Sequence, residues 1–273
     1  MRWTLKTPPE KEKVHKLAKE LKVDITIASI LYQRNIETFE DAKNYFRPNL
    51  SEIHDPFLMK DMDVAVARIE TAIRNNENIL IYGDYDVDGT TAVSLVSSYL
   101  KTITKNIATY IPDRYAEGYG ISYMGIDFAQ DNDFSLIIAL DCGIKAIEKV
   151  AYASEKNIDF IICDHHKPGN EIPKAVAVLN AKRVDCTYPF DELCGCGVGF
   201  KLIQALGVSR SQSIKDFVPY LDLVATAIAA DIVPMNGENR VLAYHGLQVI
   251  NENPRNGIKA IIHQTKKTIL TIT

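Results

Sequence analysis

Residues 78–92 read NILIYGDYDVDGTTA, a short apolar run that ends in Asp84, Asp86 and Asp88 and continues into a helix-compatible stretch. A run of this kind suits a strand buried on both faces, and it places the acids at the strand's carboxyl end. Further strands are expected at 107–112 (IATYIP), 135–140 (SLIIAL), 158–163 (IDFIIC) and 175–179 (AVAVL). Helix-length segments separate the first four, at 90–104, 122–130 and 144–157. Alternation at this pitch means βαβ units, so the fold class is α/β with a largely parallel β-sheet flanked by helices.

The chain before this region reads helical. Val14, Leu17, Ala18 and Leu21 recur at helical spacing behind Pro8 and Pro9, a proline-marked helix start. Segments 25–32 and 39–46 read as short helices, the loop RPNLSEIHDPF follows, and 62–74 offers Val66, Ala67, Ile69 and Ile73 as another amphipathic helix. The expected division is therefore a helical N-terminal leader over 1–75 and an α/β domain over 76–273. Beyond Gly197 helices are expected at 198–206, 214–230 and 240–251.

With 273 residues, a net charge of -4, 47% hydrophobic and 24% charged residues, the composition is that of a globular protein with a real core. It excludes disordered, collagenous and disulfide-stapled classes. The 5 cysteines are odd in number and irregularly spaced, which points to free thiols in a reducing compartment. The start MRWTLKTPPEKEK has no apolar signal-peptide core, and runs such as LIIAL and FIIC are too short to span a bilayer. A cytoplasmic location without membrane contact is expected. Mild acidity does not favour a whole-surface nucleic-acid binder, but an acidic excess concentrated in one site is compatible with one.

In an open parallel sheet, ligands bind beyond the carboxyl ends of the strands. Strand 78–83 runs into Asp84, Asp86 and Asp88, strand 135–140 into Asp141, and strand 158–163 into Asp164, His165 and His166. Crowded carboxylates repel and raise one another's pKa unless a cation neutralises them. Mixed carboxylate and imidazole donors suit Mn²⁺ or Mg²⁺, with Zn²⁺, Fe²⁺ and Co²⁺ also compatible. A pair of such ions about 3.5–4 Å apart activates water for in-line displacement at phosphorus. Phosphoester hydrolysis is the expected reaction. DYDVDG also matches the opening of an EF-hand loop, but its twelfth position is Leu95 rather than Glu, and the preceding segment is a strand.

Other polar residues have two readings each. Asp222, in the apolar helix VPYLDLVATAIAADIV, is either a cap or ion-pair partner or a metal ligand, and Asp231 at the helix end reads as positional or as a support behind the metal ligands. CGCGVGFK (194–201) opens a helix without a P-loop signature. Either its backbone N–H groups hold a phosphate, with Lys201 one turn in, or its small residues permit close packing. Cys186, Cys194 and Cys196 lack a Cys-x-x-Cys pair and read as small-residue filling. In IPDRYAEGYGIS (111–122), Arg114 suits phosphate and Tyr115 or Tyr119 suits a base, with a solvated loop as the alternative.

YGDYDVDGTTA, ALDCG, the DHH of residues 164–166, GCGVGFK and DLVATAIAADIVP, in that order, resemble the DHH phosphoesterase superfamily. Within it, FRPNLSEIHDPFLMKDMDVAVARI and IPDRYAEGYG are similar to the RecJ-type exonucleases, so the likeness covers nearly the whole chain. The resemblance implies a 76–273 catalytic domain that hydrolyses single-stranded DNA from 5′ to 3′ in repair and recombination, using Mn²⁺ or Mg²⁺ as two ions. It implies metal ligation by Asp84, Asp86, Asp88, Asp141, His165 and Asp222. Asp88, Asp141, His165 and Asp222 would surround one ion, and Asp84, Asp86 and Asp141 would help hold the other. It places His166 near the scissile phosphate, with Asp164 orienting its histidine neighbours, and assigns substrate contact to Arg114 and the turn of Gly195, Gly197 and Gly199, to which the phosphate-cradle reading above adds Lys201. Single-stranded DNA, single-strand-binding protein and a helicase are the implied partners. RecJ relatives continue into a second DHH-associated domain and often an OB-fold; nothing after Gly257 resembles either, so a truncated catalytic core is expected. The alternatives are a small-substrate phosphoesterase acting on oligoribonucleotides, cyclic dinucleotides or pyrophosphate, and a non-catalytic scaffold.

Overall fold

The computed structural model describes residues 4–265 and 269–271. The first three residues of the MRWTLKTPPEKEK start, and 266–268 and 272–273 near the other end, lie outside the described residues. The chain divides into two compact units, Met1–Glu52 and Ile53–Thr273.

The smaller unit packs α1 (Lys11–Leu21), α2 (Ile25–Tyr32) and α3 (Phe39–Phe46) around Val14, Leu17, Ala28, Leu31, Ile36 and Ala42. Local chemistry sets its helix ends. Lys22 takes a left-handed φ of 54° to stop α1, Asp24 accepts from the Thr26 amide to start α2, and Thr38 and Asp41 form a capping box on α3.

The larger unit opens with α4 (Met62–Arg74), which buries Met62, Ala65, Ile69 and Ala72 along one face. It continues through β1 (Asn78–Gly83), α5 (Val87–Leu100), β2 (Ile107–Tyr110), α6 (Tyr123–Asp131), β3 (Phe134–Leu140), α7 (Ile147–Glu155), β4 (Asp159–Cys163) and β5 (Ala177–Leu179). After α8 (Gly195–Val208) come α9 (Ile214–Phe217), α10 (Leu221–Asp231), α11 (Gly237–Glu252) and α12 (Asn256–Thr265). Helix α4 packs against β5 and α8, which places it with the sheet although its helical texture groups it with the leader. The expected single helix over 214–230 is two helices joined by a 3-10 turn, Val218–Tyr220, because Pro219 lacks the N–H that would continue the ladder.

Among the described residues, five strands form one parallel sheet in the order β2-β1-β3-β4-β5. Residues of β1, β3, β4 and β5 alternate between two buried faces, which is why these strands read as continuous apolar runs, whereas the edge strand β2 is only partly covered. Leu80, Tyr82, Ile137, Ala139, Phe160 and Ile162 pack on Ile126 and Ala129 of α6 and Val150 and Ala153 of α7. On the opposite face α5 packs against β1 and β3, and α8 against β3 and β4, with α10 against both helices. Chain progress leaves β1 toward β2 and then crosses back to β3. The carboxyl ends of β1 and β3 therefore flank the topological switch point, where open sheets of this order hold their ligands. Among the described residues no helix is long and apolar enough to cross a membrane.

Candidate metal centre

Each strand end around the switch point delivers an acid, and each acid is fixed by main-chain geometry. Asp84, directly after β1, is buried; its Oδ1 accepts from the Tyr85 amide at 2.8 Å and its Oδ2 has no partner. Asp86 caps α5 by accepting from the Gly89 amide at 2.9 Å. Gly89 is needed here because a Cβ would lie 2.5 Å from the Asp84 carbonyl oxygen. Asp88, in the first turn of α5, accepts from the amides of Gly195 at 2.6 Å and Cys196 at 2.7 Å, at the start of α8. Asp141 adopts a left-handed φ of 60° at the end of β3, and its Oδ1 is buried without a partner. Asp164, after β4, accepts from the Ile144 amide at 2.9 Å and from His166 through both the amide at 3.0 Å and ring Nδ1 at 2.7 Å. Both ring nitrogens of buried His165 lack a partner.

These groups converge on one point. His165 Nε2 lies 3.2 Å from Asp141 Oδ1, 3.7 Å from Asp88 Oδ2 and 3.7 Å from Asp231 Oδ2. Ligand atoms of Asp141, His165 and His166, and likewise of Asp88, His165 and Asp231, lie within 4.8 Å of one another. Burial, then the negative charge of Asp88, Asp86 and Asp164, pushes the Asp141 carboxyl up to about 10. Burial likewise raises Asp84 and Asp88 and lowers His165. Burial acts against ionised Asp164 too, but the hydrogen bond and charge of His166 outweigh it and hold its pKa low. The Asp164 hydrogen bond in turn raises His166 to about 9. Buried oxygen and imidazole donors without partners, destabilised by their own charge, fit a hard or borderline divalent cation, which would satisfy the donors and cancel the repulsion. Asp88, Asp141, His165, His166 and Asp231 bring their ligand atoms together for such ions, and the partnerless Asp84 Oδ2 is a further donor at the same strand edge, with Asp86 beside it as the α5 cap.

The structure corrects several expectations. Asp222 is turned away from the cluster: Arg255 Nε lies 2.8 Å from its Oδ2, and the Arg255 and Leu223 amides donate to the same carboxylate. Asp231, expected to be positional or to support the ligands from behind, takes its place beside His165. The two are nine positions apart on α10, about half a turn out of phase, so only one can face the sheet edge. Lys201 is wholly buried and is no substrate contact; its Nζ lies 2.6 Å from Glu238 Oε1 and 2.9 Å from the His54 carbonyl. Burial lowers its pKa although Glu238 opposes the shift. The glycine-rich turn holds an anion, but that anion is Asp88. The Gly197 amide donates to Cys194 Sγ at 3.3 Å, and Gly199 is a packing residue whose added Cβ would lie 3.3 Å from Val96 and 3.5 Å from Leu140. At Gly195 a Cβ would come 2.5 Å from Asp141 Oδ1, so this glycine shapes the metal cradle. Arg114 does sit at the site edge, exposed and 5.2 Å over the Tyr85 ring. One contact went unread in the sequence: the Tyr119 hydroxyl meets His166 Nε2 at 3.2 Å.

The model of the DHH family, N-terminal domain, matches residues 78–228, which hold every acid and histidine of this cluster but Asp231. The chain belongs to the DHH family. It is similar to the single-stranded-DNA-specific exonuclease RecJ of Bacillus subtilis (strain 168), 40% identical over 96% of this chain and 32% of that protein. The same enzyme of Escherichia coli (strain K12) is 34% identical over 75% of this chain and 37% of that protein. Among solved structures, RecJ of Thermus thermophilus in complex with Mn²⁺ superposes with a TM-score of 0.80 at 25% identity, covering 98% of this chain and 38% of that one. The chain thus spans about a third of the length of the curated relatives it matches.

Proposed function

We propose that this chain carries the catalytic centre of a divalent-metal-dependent phosphodiesterase that degrades single-stranded DNA from its 5′ end. The observation that carries the reading is the set of buried, partnerless donors, Asp84 Oδ2, Asp141 Oδ1 and both nitrogens of His165, at the β1/β3 switch point. Likeness to RecJ proteins over 96% of the chain supplies the substrate class. Mn²⁺ or Mg²⁺, as two ions, would supply Lewis acidity and a water of lowered pKa. Asp84, Asp86, Asp88, Asp141, His165 and Asp231 hold and neutralise that charge. Asp164 fixes the His166 ring through Nδ1, leaving Nε2 at the open edge beside Tyr119, where it can give a proton to a departing oxygen or assist electrostatically at a bound phosphate. Arg114, exposed at the same edge, suits a phosphate oxygen.

The setting proposed is cytoplasmic DNA repair and recombination, with single-strand-binding protein and a helicase supplying and presenting the strand. Single strands labelled at the 5′ or 3′ end, incubated with the protein and Mn²⁺, test the activity. Loss of mononucleotides from the 5′ end, abolished by chelation, is expected. Purely 3′-directed release, no release, or dinucleotide turnover that outpaces the longer strand would overturn the reading.

A further inference from the structure

The loop between β2 and α6 brings Arg114 and Tyr119 to the site. Asp113 Oδ1 closes the loop on itself, accepting from the Tyr115 and Ala116 amides at 2.8 Å each, and the Glu117 carboxylate ties it to the neighbouring elements. Glu117 Oε2 accepts from the Tyr110 hydroxyl at 2.9 Å and from Ser122 Oγ at 2.5 Å, and Oε1 accepts from the Asp113 amide at 2.8 Å. The Glu117 amide donates back to the Asp113 carbonyl at 2.9 Å. Two of these partners, Tyr110 and Ser122, are anchored in the sheet layer. Tyr110 belongs to β2 and stacks on Tyr82 of β1, with centroids 5.3 Å apart. Ser122 caps α6, accepting from the Gly125 amide at 2.8 Å, and its own amide donates to the Tyr82 hydroxyl at 3.1 Å. That hydroxyl donates to the Gly120 carbonyl at 2.9 Å.

Past the tie, the chain turns through Gly118 at φ 82° and Gly120 at φ 77°, a left-handed region that suits glycine. Tyr119, between them, crosses to the metal centre, where its hydroxyl lies 3.2 Å from His166 Nε2 and its ring stands edge-on to Tyr85 at 6.1 Å. Without Glu117 the loop loses the carboxylate that ties it to β2 and to the α6 cap.

We propose that Glu117 is a positioning residue, a carboxylate clamp that touches neither metal donors nor substrate and holds the 113–120 loop so that Tyr119 and Arg114 stand over the metal centre. This rests on the nuclease reading above. Glu117→Gln can flip its amide so that the oxygen accepts from Asp113 and the nitrogen donates to the two hydroxyl oxygens, so it preserves the clamp. Glu117→Leu removes all three bonds, and Tyr110→Phe removes one.

Glu117→Leu is expected to raise KM for single-stranded DNA about tenfold with a smaller change in kcat, a size typical of outer positioning contacts. Tyr110→Phe should fall between it and the parent, Glu117→Gln should stay near the parent, and Mn²⁺ binding by calorimetry should be unchanged in all three. Parental KM in both Glu117→Leu and Tyr110→Phe, or Glu117→Gln as impaired as Glu117→Leu, or loss of Mn²⁺ binding in Tyr110→Phe, overturns the proposal. Hydrogen exchange of the 113–120 amides needs no turnover and separates the two readings. Unchanged exchange in Glu117→Leu and Tyr110→Phe overturns the clamp whatever the parent cleaves. Faster exchange, in a chain whose parent cleaves no DNA, upholds the clamp and overturns the nuclease reading alone.

Discussion

Asp141 shows the conflict that the metal centre creates for a single residue. It is buried, its Oδ1 has no partner, and burial together with neighbouring carboxylates pushes its pKa to about 10. Asparagine tolerates the left-handed backbone that Asp141 adopts, so Asp141→Asn removes the carboxyl that folding must otherwise protonate, without backbone strain. The variant is expected to melt higher than the parent without metal, by about 2–4 °C for each 1 kcal/mol gained. It should lose the Mn²⁺-induced rise in melting temperature and at least about 100-fold in cleavage rate. Melting curves with and without Mn²⁺, beside a rate assay, check this; equal Mn²⁺ stabilisation of variant and parent would contradict it. Lys201 makes the opposite case. Its partner Glu238 is buried and also accepts from the Tyr188 hydroxyl at 2.6 Å and the His54 amide at 2.9 Å. Lys201→Met leaves that carboxylate without its cation, which should cost about 3–5 kcal/mol of stability by denaturant unfolding. KM of the folded fraction should not change, because the ammonium never reaches the substrate.

At the scale of elements, α10 carries an acid near each end with a different task for each. Its first turn holds Asp222 against Arg255, which ties the helix to the segment leading into α12. Its last turn brings Asp231 to His165. Asp231→Asn is therefore expected to weaken Mn²⁺ binding about 10–100-fold with little change in stability. Arg255→Ala should do the reverse, leaving Mn²⁺ affinity intact and costing roughly 3 kcal/mol by stranding a buried carboxylate. Calorimetric titration and urea unfolding of both variants separate the roles, and a loss of Mn²⁺ affinity confined to Arg255→Ala would exchange them. Helix α8 works in the same architectural way, because its first amides anchor Asp88 while Gly195 leaves room for Asp141.

Over the whole molecule, the cluster makes stability depend on pH and on metal together. Asp84, Asp88 and Asp141 have folded pKa values above their ordinary ones, so the folded metal-free protein binds more protons than the unfolded chain. His166, raised to about 9, acts in the same sense. The sign is that stability falls as pH rises between the unfolded values and these raised ones. His165, lowered by burial, opposes this only at pH below its unfolded value of about 6.5. Metal-free protein is accordingly expected to melt higher at pH 7 than at pH 8.5, and Mn²⁺ should reverse the trend by competing with the bound protons. Melting curves in chelator and in Mn²⁺ across that range measure both slopes; a rise with pH in chelator would contradict the assignment.

The sequence by itself determined the sheet and the edge at which the chemistry gathers. Strand pattern is local: a residue pointing to one buried face is followed by one pointing to the other, so NILIYG and SLIIAL are legible as buried strands and the acids that follow them as residents of the carboxyl edge. Helix-borne groups are different, because the direction in which Asp222, Asp231 or Lys201 points depends on how α10 and α8 dock. Periodicity within α10 sets the two aspartates on opposing faces, but only the packing of that helix against α5 and α8 decided that Asp231 meets His165 while Asp222 meets Arg255. The same docking turned the glycine-rich turn from a candidate phosphate cradle into the anchor of Asp88. It also drew α4 to the sheet, through contacts with β5 and α8 that no local pattern encodes.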